Sequence, residues 1–448
     1  MFGSPYGRAL AVMLAMAGCD GLRLLPGFEP EPAAPQPQPP AVATGPWLLA
    51  LPPGGVTVAW TTQKPGLGRV WYGTREPDRL ASETGEPVLE HRVALGALQP
   101  ATRYRYRVEG EVGDAWFESP PAPASEGPVR VLVYGDNRGN NGDHALLARA
   151  AASERAQLLL HTGGMVETPR EEAPWRAWFE EERDLLAHAP IVAARADDRE
   201  GDGAFARHFQ RPGMPAYGSL DYGPVHVCVL DSSDAGGGAQ EAGISDAQRA
   251  WFEEDLRGVP RERHVWVLVH RGPLAHPSRK QPGQGGSEAV RAALQAVGKI
   301  HAVEAVFAGH EHFYERASTG SVPSLVLGAG GAPLEEPDRS AAGVEAAVSA
   351  LSYALVTVCG CHAAGVVKDI AGRVLDSFTL SDCATPCGAG AAQPAATAPA
   401  PPQPSAAAVS PADAGPSLER GSRRHSRRRR RSIEALDGGA APAENRPR

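Results

Sequence analysis

Val306-Phe307-Ala308-Gly309-His310-Glu311-His312-Phe313-Tyr314-Glu315-Arg316 runs from an apolar, strand-like segment directly into two histidines one residue apart. Buried strands read as short apolar runs, and folds that cover a sheet with helices place their chemistry in the loops leaving the strand ends. The same arrangement recurs upstream. Val131-Leu132-Val133-Tyr134 leads into Gly135-Asp136-Asn137-Arg138, Leu158-Leu159-Leu160 into His161-Thr162-Gly163-Gly164, and Val267-Leu268-Val269 into His270. A carboxylate and histidines delivered by successive strand ends can converge on one point. Imidazole with carboxylate is a ligand set for zinc, iron or manganese, so a hydrolytic metal site is expected.

Around these ends, residues 128–382 alternate apolar strands (129–134, 158–161, 191–194, 225–230, 264–270, 302–308) with amphipathic helices (143–155, 175–188, 246–257, 287–297), an α/β pattern. Residues 47–118 carry only short strand-like runs between turns. In Arg103-Tyr104-Arg105-Tyr106-Arg107-Val108 strict alternation puts aromatics on one face and arginines, facing solvent, on the other. A small antiparallel β-sandwich is expected there.

The flanks are of another kind. Arg8 precedes an apolar run, Ala9 to Ala17, too short to span a bilayer and typical of a signal peptide over residues 1–19. Met16-Ala17-Gly18-Cys19 resembles a bacterial lipobox, with Cys19 as the lipidated residue; export to the cell envelope and a lipid anchor in the membrane follow as expectations. Residues 20–46 read as a stiff Pro-rich stalk. Residues 384–448, rich in Ala, Pro and Arg, read as disordered tail.

Of the 448 residues 42% are hydrophobic, enough for a large core, and the net charge is −8. The tail holds ten arginines against five acids, a net of +5, which leaves −13 for the rest. An acidic body disfavours nucleic-acid binding by the folded part, because phosphate backbones need a basic face. Cys359, Cys361, Cys383 and Cys387 allow two disulfides in any of three pairings, whereas Cys228, in an apolar run, reads as a buried free thiol.

Residues 128–382 resemble the calcineurin-like metallophosphoesterases. The resemblance rests on Gly135-Asp136, His270, the Gly309 to Arg316 segment, Gln248 to Leu256 and Leu327 to Pro333. With Val56-Thr57-Val58-Ala59-Trp60 and Leu98 to Tyr104, which resemble a fibronectin type III domain with its core Trp and Tyr, residues 47–382 look like the purple acid phosphatase branch. The resemblance implies an α/β (α+β) metallophosphoesterase sandwich preceded by a small all-β sandwich. It also implies one or two divalent or trivalent ions (Fe, Zn or Mn) that promote attack on a phosphate ester.

The site departs from the family pattern. Gly164 stands where the family carries the aspartate that bridges two ions. Asp197 and Asp198 stand where it carries an Asn that binds metal and a His that contacts phosphate, and Arg138 where many members carry His. The assignment implied is Asp136 and His312 for one ion and His270, His310 and Asp197 for the other. Glu167 is a possible substitute ligand, and Asp198 and Arg138 are the catalytic candidates facing a phosphate ester or similar anion. Two expectations follow: a phosphoesterase with an altered site, or an impaired pseudophosphatase serving as an anchored anion- or protein-binding module.

Overall fold

The computed structural model describes residues 39–383 apart from 52–54, 83–84, 112, 126, 139–141, 197–201, 211–214, 235–242, 280–283 and 320–321. The leader, Cys19, Asp197, Asp198 and the Arg-rich tail lie outside the described residues. Seven strands come first: β1 (Val42–Leu51), β2 (Gly55–Gly66), β3 (Arg69–Gly73), β4 (Arg79–Ser82), β5 (Val88–Leu95), β6 (Arg103–Val108) and β7 (Ala115–Glu118). Then follow β8 (Val129–Tyr134), α1 (Gly142–Ser153), β9 (Leu158–His161), α2 (Glu172–Glu181), α3 (Arg183–Leu186), β10 (Ile191–Ala193) and α4 (Asp202–Phe209). Next are β11 (Gly218–Tyr222), β12 (Val225–Leu230), α5 (Asp246–Gly258), β13 (His264–Val269), α6 (Glu288–Val297) and β14 (Ala305–Ala308). The chain closes with β15 (Tyr314–Thr319), β16 (Val322–Leu327), β17 (Val344–Val348), β18 (Ser352–Cys359), β19 (His362–Asp369) and β20 (Val374–Ser381).

Two mixed sheets face each other. One has the order β20-β19-β18-β8-β9-β10-β1-β2-β5 and the other β11-β12-β13-β14-β16-β15-β17. Val131, Val133 and Leu160 of the first interdigitate with Val227, Trp266 and Phe307 of the second in one apolar core. On the outer face of the first sheet, Leu132, Tyr134 and Leu159 meet Leu147 of α1 and Trp178 and Phe179 of α2. On the outer face of the second, Val265, Val267 and Val306 meet Phe252 of α5 and Val290 of α6. Helices α5 and α6 start where Ser245 and Ser287 accept hydrogen bonds from the N–H groups of Gln248 and Val290.

The N-terminal strands make a fourth core. Trp60 and Tyr104 are both buried in it, with Val58, Tyr106 and Phe117, and the arginines of β6 face outward. The stalk expected over 20–46 is corrected here: strand begins at Val42, because Val42 and Thr44 pair with Thr62 and Thr61 of β2. β1 also lies beside β10, with Leu49 opposite Ile191, so the N-terminal strands continue the large sheet. The helix expected over 175–188 begins at Glu172 and divides at Glu182, whose backbone settles at φ −91°, ψ 0°. Cys361 pairs with Cys383, Cys359 is disulfide-bonded as well, and Cys228 is free and buried. Among the described residues no helix is long and apolar enough to cross a membrane.

Candidate metal centre

β8 and β9 run parallel, as do β13 and β14, so their C-terminal ends point the same way. Backbone hydrogen bonds then lace the loops together: Asp136 N–H to Gly163 O at 2.8 Å, Gly309 N–H to His270 O at 2.9 Å and Ala332 N–H to Asp136 O at 2.9 Å. Asp136, Arg138 and His310 all have positive φ, at 55°, 60° and 75°. L-residues avoid this region, and strain of this kind gathers where structure over-determines a functional loop.

Asp136 is fully buried. Its Oδ2 accepts the backbone N–H of His310 at 2.8 Å, and its Oδ1 has no hydrogen-bond partner among the described residues. Oδ1 lies 4.0 Å from His312 Nε2. His312 Nδ1 donates to the carbonyl of Pro333 at 3.0 Å, and His270 Nδ1 to that of Thr162 at 2.8 Å. A carbonyl only accepts, so each of these rings carries its proton on Nδ1 and presents the lone pair of Nε2, the form that binds a cation. His270 and His310 stand edge to face, 5.2 Å between centroids. The four side chains thus form two neighbouring pairs, Asp136 with His312 and His270 with His310.

Close approach depends on glycine. A Cβ on Gly309 would come 2.3 Å from Asp136 Oδ2 and 2.6 Å from Thr162 Oγ1, and one on Gly164 would come 2.4 Å from Asp136 Oδ1. Gly164 also has φ +68°. The Asp136 carboxylate therefore leans into the volume a side chain at 164 would need.

The buried orphan oxygen of Asp136, with the His312 imidazole of fixed tautomer 4.0 Å away, fits a cation. An unpartnered buried carboxylate oxygen is costly, and a cation removes that cost. Glu167 is exposed, and its Oε2 sits 3.1 Å from Arg138 Nη1. His161, one of the strand-end histidines, is corrected: its Nδ1 accepts from Gly163 N–H and its Nε2–H donates to Asn137 Oδ1, which also receives Trp178 Nε1–H. Burial holds His161 well below the ordinary imidazole range, so it is a neutral prop for the loop. Ring orientation set by a partner 24 residues away leaves no local sequence signal.

Residue-type reasoning also missed two acids. Glu311, between the two histidines, is buried, and burial pushes its carboxyl up to about 7. Glu182 takes the Tyr134 hydroxyl hydrogen bond at 2.7 Å and lies 3.3 Å from His144 Nε2.

No family profile matches the chain. It is 26% identical over 303 residues to purple acid phosphatase 1 of Ipomoea batatas, covering 59% of this chain and 62% of that one. It is 27% identical over 248 residues to purple acid phosphatase 21 of Arabidopsis thaliana, covering 50% of this chain and 53% of the relative. The chain thus spans between half and two thirds of each of these curated relatives. The solved structure of the purple acid phosphatase PPD1 from yellow lupin seeds superposes with TM-score 0.61 at 18% identity, over 76% of this chain and 73% of that one.

The fold is that of a metallophosphoesterase. Facing sheets, outer helices and strand ends that gather Asp136, His270, His310 and His312 are the metallophosphoesterase frame of this chain.

Proposed function

We propose that this chain is an exported metal-dependent phosphoesterase whose site has lost its bridging carboxylate at Gly164. The observation that carries the reading is the buried, unpartnered Oδ1 of Asp136, 4.0 Å from His312 Nε2. Asp136 and His312 would hold one cation, and His270 and His310, with Asp197, a second. A divalent or trivalent ion bound there supplies Lewis-acid activation of the phosphoryl group and of the attacking water.

The chain's own residues do the rest. The carbonyls of Thr162 and Pro333 hold two imidazoles in the ligand tautomer. Arg138, at φ +60° with its N–H bonded to Gly164 O, exchanges Glu167 for a phosphate oxygen and orients the anion through its planar fork. Glu167 then serves as the resting partner of Arg138. Asp198, a carboxylate where the family carries a phosphate-contacting His, is the other catalytic candidate of the site. The segment from Arg8 to Cys19 supports export and a lipid anchor, and the Trp60 and Tyr104 core supports a fibronectin III-like module at the N-terminus.

Metal content of the purified chain, measured beside hydrolysis of a chromogenic phosphate monoester, tests the reading. The native chain retains transition metal and turns over. Chelation abolishes turnover, and His310→Ala lowers it by about two orders of magnitude or more, the loss expected when Lewis-acid help worth several kcal/mol goes. A folded sample with neither metal nor turnover overturns the reading.

A further inference from the structure

A second cluster lies at the opposite end of the parallel strands. Residues two apart in a strand share a face, so β12 presents His226 and Cys228 together, and α5 lays Asp255 over them. Their ligand atoms all lie within 4.8 Å of one another, and no other trio of His, Cys, Asp or Glu among the described residues is so close. His226 Nε2 is 2.9 Å, and Cys228 Sγ 3.6 Å, from Asp255 Oδ2. His226 pairs in register with Val265, five residues before His270. That is roughly 16 Å of strand from the first site.

The surroundings of the trio are also built. Asp221 Oδ1 accepts from His226 Nδ1 at 2.9 Å, Ser219 Oγ donates to Asp255 Oδ1 at 2.6 Å, and Arg263 Nη1 lies 3.4 Å from Asp221. A cleft of about 650 Å³, lined by Pro121, Pro123 and Asp221, reaches two of the three, His226 and Asp255, while Cys228 is fully buried and does not line it.

We propose that His226 Nε2, Cys228 Sγ and Asp255 Oδ2 form a second metal site, which takes one thiophilic divalent cation of the zinc type with its fourth position open to the cleft. Zinc bonds of about 2.0–2.3 Å in a tetrahedron set ligand edges of roughly 3.3–3.6 Å. The sulfur–oxygen edge already has that length, and the nitrogen–oxygen edge needs to open by about half an ångström. A thiolate in the set selects zinc or cobalt over magnesium, calcium or manganese. A carboxylate on the far nitrogen of a ligating histidine is the usual outer contact of such sites. One divalent cation would displace two protons, from His226 Nε2 and Cys228 Sγ, and so leave the charge of the cluster unchanged. Three ligands and an open fourth position are the arrangement of a reactive rather than a closed structural zinc site.

The test uses the full chain with His310→Ala and His312→Ala, which disables the first site, loaded with Co²⁺ alone. Its outcome is therefore independent of phosphatase activity. A near-ultraviolet thiolate-to-cobalt band is expected with one equivalent bound, competed by Zn²⁺. Cys228→Ser removes the band, and Asp221→Asn weakens binding about 10–100-fold. Should Cys228→Ser fail to fold, Asp255→Asn and His226→Gln give the same loss of affinity. Absence of a thiolate band, or a band that survives Cys228→Ser, overturns the site and leaves an imidazolium shared between Asp221 and Asp255.

Discussion

Gly164 and Asp136 compete for one small space. The clash that a Cβ at 164 would make with Asp136 Oδ1, at 2.4 Å, and the φ of +68° act together. Gly164→Ala forces a left-handed alanine, which costs about 1–2 kcal/mol, and it pushes the carboxylate off its place. In chelated protein the free energy of unfolding should fall by that amount, with a lower denaturation midpoint, and the same variant should retain less metal. Gly164→Asn, whose side chain tolerates left-handed backbone better, should lose less stability. Equal midpoints for wild type and Gly164→Ala would contradict the crowding. The ligand candidates were legible because each follows an apolar run that ends abruptly in a charged or imidazole residue. That His161 turns away to hold Asn137, or that Glu167 meets Arg138, depends on contacts between loops, which local sequence does not encode.

At the scale of elements, Glu182 ties three of them together. It sits where α2 gives way to α3, receives the Tyr134 hydroxyl of β8 and neighbours His144 of α1. Burial pushes its carboxyl up to about 8 and the His144 imidazole down to about 4. A carboxyl with a raised folded pKa favours the fold below its unfolded value, and that contribution is lost as pH rises toward the folded value. The lowered His144 acts in the opposite sense below about 6.5, so the net loss concentrates between about pH 6.5 and 8. Chemical denaturation at pH 6.5 and pH 8 should show wild type losing stability, by at most about 1.4 kcal/mol per pH unit. The loss should be absent in Glu182→Gln, and a parallel loss in both proteins would place the titrating group elsewhere. Most strands and helices of 128–308 were legible from apolar runs and periodicity, but β11 and the short α4, which lack a long apolar run, were not. The split at Glu182 was not, because a buried carboxyl in an otherwise helical run is placed by tertiary partners. The strands after Tyr314 were also not read, since alternating small residues such as those of β19 give a weak pattern.

Across the whole molecule, β1 is the shared part. Leu48 faces the N-terminal core, Trp47 and Leu49 face the helices of the large sheet, and Ala50 faces the space between the two large sheets. Composition and turn spacing separate residues 47–118 from the rest, yet they carry no information about which sheet an edge strand joins, and pairing of Leu49 with Ile191 is a tertiary choice. A further bond crosses the same boundary, Tyr106 Oη donating to Ala187 O at 2.9 Å, while Tyr222 Oη, in the second sheet, donates to Gln157 O at 2.7 Å and ties the two large sheets to each other. Cores joined through one strand should melt together. Leu48→Ala, which touches only the N-terminal core, should cost about 2–5 kcal/mol, the range for a buried leucine. Scanning calorimetry should show one transition moved down by several degrees, and loss of bound metal should follow the same midpoint. Two resolved transitions, with only the lower one displaced by Leu48→Ala and metal released at the unshifted upper one, would show instead that the N-terminal strands fold as a unit of their own.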